Sequence, residues 1–88
     1  MEIAYKICYL QEVVDKQIPK LPVKAKTTIK RAIEERLMVD PVRFGKPLQY
    51  SLRGHRRLRV GDYRVVYRIE PEVPQVIVVA IKHRKEIY

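Results

Sequence analysis

With 88 residues and an apolar fraction of 47%, the chain has material for one small hydrophobic core, so a large insertion or a second active site is excluded and one domain spanning residues 1–88 is expected. The formal net charge of +9, from 19 Lys/Arg against 10 Asp/Glu, describes a folded domain that attracts polyanions, nucleic acid first among them. Its longest apolar run, residues 76–81, is far below the roughly 20 residues needed to cross a bilayer, and Met1-Glu2 does not begin a signal peptide, so a soluble, cytoplasmic protein without a membrane partner is expected.

In chain order, residues 2–9 have strand character, with Ile3, Tyr5, Ile7 and Tyr9 on one face. The lone Cys8 sits in this run; it excludes an intramolecular disulfide and reads as a buried small hydrophobe in a reducing compartment. Leu10, Val13, Val14, Ile18 and Leu21 fall at helical spacing until Pro19 and Pro22 interrupt them. Pro22 suits the first turn of a second helix, whose apolar face is Ala25, Ile29, Ala32, Ile33, the Arg36 stem and Leu37. Asp40-Pro41 stops that helix. Residues 42–53 show no sustained period and read as a loop, from which Lys46 and Arg53 reach a nucleic acid.

Residues 56–69 then alternate arginine with apolar side chains through a Val60-Gly61-Asp62 connection, which reads as two paired strands. Period two places Leu58, Val60, Tyr63, Val65, Tyr67 and Ile69 on a core face, and Arg57, Arg59, Arg64 and Arg68 on the other. Like charges opposite one another destabilise a sheet, so an anion such as phosphate is the economical reason to collect them; a solvated face that keeps the domain soluble is the competing reading. Half by half, residues 1–43 hold nine Lys/Arg against six Asp/Glu, and residues 44–88 hold ten against four, so the basic character concentrates with these strands. A Pro71 and Pro74 turn leads to residues 75–81, the last strand, whose nearly continuous Val/Ile implies cover on both faces. Residues 82–88 form a basic tail with His83, Arg84 and Tyr88. The expected fold is α+β, in the order β-α-α-β-β-β, with two N-terminal helices packed on one face of a curved antiparallel sheet. His55, His83 and Cys8 lack metal-ligand spacing and the acidic residues do not cluster, so neither metal nor cofactor is expected.

This order, together with Gly45-Lys46-Pro47-Leu48, the stretch from Arg57 to Ile69, and the ending His83-Arg84-Lys85-Glu86-Ile87-Tyr88, closely resembles the RelE toxins of the RelE/ParE toxin–antitoxin superfamily. The resemblance implies a RelE-like fold and a toxin that enters the ribosomal A site and cuts messenger RNA without a metal. It also implies a RelB-like antitoxin as partner, and allows a toxin–antitoxin heterotetramer. ParE relatives share the fold and poison DNA gyrase, which leaves a non-nuclease toxin open, with a plain RNA-binding module as a third reading.

By the same resemblance, Arg64 falls where the family carries the arginine that stabilises the transition-state phosphate. Tyr88 matches the C-terminal tyrosine near the reacting ribose, and His83 sits where members carry an arginine or a histidine. His55 and Arg57 stand where the best-known members have lysines. Arg57 stays protonated, so it clamps phosphate rather than accepting a proton. Metal-free cleavage needs a base for the 2′-OH, cations on the phosphate and an acid for the 5′-oxygen. His83 is the first choice for proton transfer because histidine ordinarily titrates near neutrality, with His55 and Tyr88 as the alternatives. Lys46, Arg53, Arg59, Arg68 and Arg84 read as general phosphate contacts, and Tyr63 and Tyr67 as core.

Overall fold

A computed structural model describes residues 4–86. Five strands form one sheet in the order β1-β5-β4-β3-β2: β1 Lys6–Tyr9, β2 Lys46–Pro47, β3 Arg56–Val60, β4 Tyr63–Glu70 and β5 Gln75–His83. The fold is the expected α+β one, with helices on one face. Its details depart from the expectation in several places. β1 joins the edge of β5 in parallel, Lys6 opposite Gln75, so the otherwise antiparallel sheet is mixed. The Gly45-Lys46-Pro47 region is not all loop: Lys46 and Pro47 pair with Arg57 and Arg56 as a short edge strand, which Pro47 limits by lacking an N–H to donate.

The first helical segment is a π-helical turn, Val13–Gln17, running into a 3₁₀ turn, Ile18–Lys20. Pro22 N-caps α1 (Val23–Ala32), which continues into a second π-helical turn, Ile33–Leu37. Both helices press their apolar stripe on the sheet: Val13, Ile29, Ala32, Ile33 and Leu37 are buried against Leu58, Val60, Val65, Tyr67, Val76, Val78 and Ile81. Asp40-Pro41 does more than end a helix. Asp40 accepts a bond from the Arg43 N–H at 3.1 Å and caps a one-turn helix, α2 (Pro41–Phe44), with Pro41 in the position where its missing N–H costs nothing.

The β3–β4 connection is a two-residue hairpin turn, Gly61-Asp62, with Val60 paired to Tyr63. Gly61 holds φ at +59°, which a turn of this hand requires at its first central residue. Cys8 is half-buried rather than buried, and its thiol donates to Gln75 Oε1 at 3.3 Å across the parallel pair. The last strand also differs from expectation. Its register pairs Tyr67 with Val78 and Val66 with Ala80, which leaves Val79 between them as a bulge. Val76, Val78 and Ile81 are buried under the helices, while Val79 and Ala80 are only half-buried on the opposite face. That face is therefore covered only in part, at Ile77, which is buried opposite Arg68.

Candidate nucleic-acid interface

Period two and the register together set out the open face. Arg59 pairs with Arg64, and Arg64 with Lys82, forming a row of three cations across β3, β4 and β5. The next row runs Lys46, Arg57, Val66 and Ala80, so it begins basic and turns apolar. Arg68, opposite Ile77, lies farther along the same face and is exposed. Lys82 was assigned to a tail by sequence, but β5 extends to His83 and carries it into the row. The hydrophobic period would have found it, since Ile81 still points to the core.

Hollows mark this face, one of about 240 Å³ at its edge beside Lys46, Arg57 and Arg59 and two others along it. At the hairpin end a cavity of about 130 Å³ is lined by Arg59, Arg64 and Arg84 around the Gly61-Asp62 turn. Arg84 Nε lies 3.6 Å from Asp62 Oδ1 in a mostly exposed ion pair, and its backbone N–H donates to the Asp62 carbonyl at 2.8 Å, which ties the end of β5 to the turn. Toward β2 lies a larger cavity of about 410 Å³. Its floor is Val66, Val79 and Ala80, its wall Leu48 and Leu52, and its rim carries Arg57, Arg64, Lys82 and Glu86. The apolar floor was not foreseen; it exists because the bulge places Val79 outward.

The wall stands on a short closed loop. Leu48 N–H donates to the His55 carbonyl at 2.9 Å and His55 N–H to the Leu52 carbonyl at 3.0 Å, around a 3₁₀ turn at Tyr50–Leu52. Tyr50 is 90% exposed with φ at +59°, a conformation that bulky side chains rarely adopt. Arg53 leaves the same loop, exposed. The His55 side chain is half-buried, its Nδ1 has no hydrogen-bond partner, and it does not line the cavity.

His83 is not brought to the arginine face. It pairs with Tyr63, on the helix-packed side, and its ring stands edge-on to the Tyr63 ring at 5.1 Å and 89°. Its Nδ1 accepts the Lys85 N–H at 3.1 Å, so the neutral ring carries its proton on Nε2; the His83 N–H donates to Glu86 Oε1 at 3.4 Å. Tyr88 lies outside the described residues. Among the described residues, no three His, Cys, Asp or Glu side chains form a group able to hold a metal ion, and no helix is long and apolar enough to cross a membrane.

One arginine has a different position altogether. Arg56 points to the core side and donates from Nη2 to the carbonyls of Val42, at 2.6 Å, and Gly45, at 2.8 Å, at the end of α2. Beside it the buried Tyr67 hydroxyl donates to the Pro41 carbonyl at 2.6 Å. Burial pushes the Tyr67 hydroxyl up, while the hydrogen bond from Arg56 and then its charge pull it down. Gly45 crosses directly over this phenol, and a Cβ there would overlap the hydroxyl. The cluster fixes β2, and with it Lys46, against Arg57. An arginine within a basic run gives no sequence signal for such a clamp.

This sheet, helix-backed on one side and lined with cations on the other, is a toxin fold. Residues 10–88 match the family described as the ParE toxin of type II toxin–antitoxin systems, parDE. The chain belongs to the RelE/ParE family of type II toxin–antitoxin toxins. It is 34% identical over 73 residues to Toxin RelG of Mycobacterium tuberculosis, covering 83% of this chain and 84% of that one, and 34% identical over 73 residues to Toxin RelE of the same organism, covering 83% and 75%. The toxin–antitoxin complex RelBE2 of M. tuberculosis superposes with a TM-score of 0.87 at 29% identity, over 93% of each chain. E. coli RelE, solved with a RelBc antitoxin peptide, gives 0.71 at 22% identity, over 97% of this chain and 90% of that one, and shares the fold.

Proposed function

We propose that this toxin is a ribosome-dependent messenger RNA endoribonuclease, neutralised by a RelB-like antitoxin. The observation that carries the reading is the row Arg59, Arg64 and Lys82 beside Lys46 and Arg57, which sets guanidiniums and ammoniums on one face at the spacing of neighbouring strands, about 5 Å. Cations so placed hold a phosphodiester and stabilise the added charge of its pentavalent state. Arg64 and Arg57 take the scissile phosphate; Lys46, Arg53, Arg59, Arg68 and Arg84 take its neighbours.

The 2′-oxygen attacks the phosphorus as its proton passes to a base, and the 5′-oxygen leaves as it gains a proton from an acid. His83 remains the first candidate for proton transfer, now through Nε2, since Nδ1 is held by Lys85. To act as the acid the ring has to be the imidazolium, with Nδ1 protonated and released from the Lys85 N–H, and the RNA has to turn around the end of the β4–β5 pair to meet Nε2. His55 and Tyr88 are the alternative groups for the base. A RelB-like partner is supported by the RelBE complexes among the structural relatives. Primer extension on ribosome-bound messages after induction tests the proposal: breaks within translated codons are expected, and intact messages with DNA damage would replace the nuclease with a ParE-like action on gyrase.

A further inference from the structure

The 410 Å³ cavity on the outer face has an unusual combination of surfaces. An open sheet face is ordinarily polar, yet here Val66, Val79 and Ala80 form an apolar floor, and Leu52, 48% exposed, stands above it. The bulge in β5 turns Val79 outward. The rim is cationic through Arg57, Arg64 and Lys82, with a single carboxylate, Glu86. A phosphate alone would use the rim and leave the floor wet. An acidic peptide would use both, but would meet Glu86 as a like charge. A nucleotide satisfies all three features, because it joins a flat ring with apolar faces to an anion and carries hydrogen-bonding edges.

We propose that this cavity is a nucleobase pocket, with the base lying on Val66, Val79 and Ala80 under Leu52 and its phosphate on Arg57 and Arg64. Glu86 accepts a hydrogen bond from an exocyclic amino group and so favours cytosine or adenine over uracil, as carboxylates do at amino-bearing base edges. The pocket rests on the reading of RNA as the substrate, and gives that reading a selectivity the arginine rows lack, since phosphate contacts carry no sequence information.

Binding of small probes to the full chain tests it without any cleavage. Methyl signals of Leu52, Val66 and Val79 are followed by NMR during titration with cytidine 3′-monophosphate, uridine 3′-monophosphate and ribose 5-phosphate. The cytidine nucleotide is expected to shift these methyls and to bind about fivefold more tightly than ribose 5-phosphate, the low end of what base stacking on an aromatic platform contributes, since this platform is aliphatic. Leu52→Ser, at a loop position 48% exposed, should bring the cytidine nucleotide down toward the ribose phosphate value with the melting temperature unchanged. Glu86→Ala should remove a roughly fivefold preference for cytidine over uridine, on the scale of one hydrogen bond. Equal affinity for the cytidine nucleotide and ribose 5-phosphate would overturn the pocket, as would an acidic amphipathic peptide that shifts the methyls when no nucleotide does. Equal affinity for the two nucleotides would overturn the role of Glu86. Intact nucleotide binding by a chain that cuts no message would refute the nuclease and leave the pocket standing.

Discussion

Arg56 and Arg57 are adjacent in β3, and the sheet uses them in opposite ways. Arg56 faces the core side, where two backbone carbonyls at the end of α2 hold it, and its neighbour Tyr67 is fully buried. Arg57 faces outward, beside Lys46 and one row from the Arg59, Arg64 and Lys82 line. On the inner face the chain supplies two acceptors to the Arg56 Nη2, while its buried Nε has none; on the outer face like charges stand opposite one another, an arrangement that stabilises nothing by itself. The difference separates a guanidinium that holds the fold from a row of cations set out on an open face, and substitution on each face should give a different signature.

The largest effect is expected at Arg64. Arg64→Ala should slow single-turnover cleavage on programmed ribosomes by about 10²–10³ at every pH, the size of one lost transition-state donor, while the thermal midpoint stays close to that of the parent. Arg64→Lys should restore only part of the rate, because a point charge does not reproduce a fork. A large drop in melting temperature for Arg64→Ala would erase the distinction between the faces.

His83→Gln comes next, and asks whether a residue on the helix side takes part in the chemistry. Cleavage should slow by about 10²-fold with ribosome binding nearly intact, and one limb of the pH–rate profile should disappear. An unchanged profile would make His83 a strand-end residue that only anchors the Lys85 turn, and would pass proton transfer to His55 or Tyr88.

Much of this contrast was legible from period two. Alternation assigned Leu58, Val60, Val65 and Tyr67 inward and Arg57, Arg59 and Arg64 outward, because a side chain's face depends only on its parity along a strand. Gly61 marked the hairpin for an equally local reason, its left-handed φ. What was not legible depends on partners distant in sequence. The parallel seat of β1 is chosen by the edge of β5, and Lys46-Pro47 is too short for any period to show. The Val79 bulge is a matter of register between two strands, and an unbroken Val/Ile run conceals it. Arg56 looks like its neighbours until α2 presents its carbonyls. His83 reads as part of a tail, and its side of the sheet follows from Ile81 and Lys82 continuing the strand to it.

On the inner face, Gly45→Ala should destabilise the protein by about 1–3 kcal/mol, as overpacking a fully buried site does, since the added methyl overlaps the Tyr67 hydroxyl. Denaturant melts would show the loss, and Gly45→Ala with Tyr67→Phe should recover part of it by removing the clashing oxygen.

The smallest effect is that of Tyr67→Phe alone, about 1 kcal/mol, the usual net value of one hydrogen bond, here the bond to the Pro41 carbonyl. It should also alter the alkaline response. The Tyr67 hydroxyl is raised in the folded state, so its contribution is fully present below the unfolded tyrosine value near 10 and is lost as pH rises toward the folded one. Tyr67→Phe should therefore flatten the fall in stability above pH about 10; an identical alkaline slope in both proteins would show that the phenol does not sense its burial.

The parallel union of β1 with β5 has a consequence for how the toxin comes into being. Cys8 meets Gln75 across 67 residues, so the strand synthesised first has no partner until the strand synthesised last has emerged. Pairing at such sequence separation is slow, because the intervening chain must close before any contact rewards it. The central hairpin of β3 and β4 needs only a two-residue turn and can form much earlier. A half-made chain thus carries its arginine ladder before it has a complete core, and its exposed β4 edge waits for β5. Nascent toxin is a basic, unfinished sheet while its own last strand is still being made.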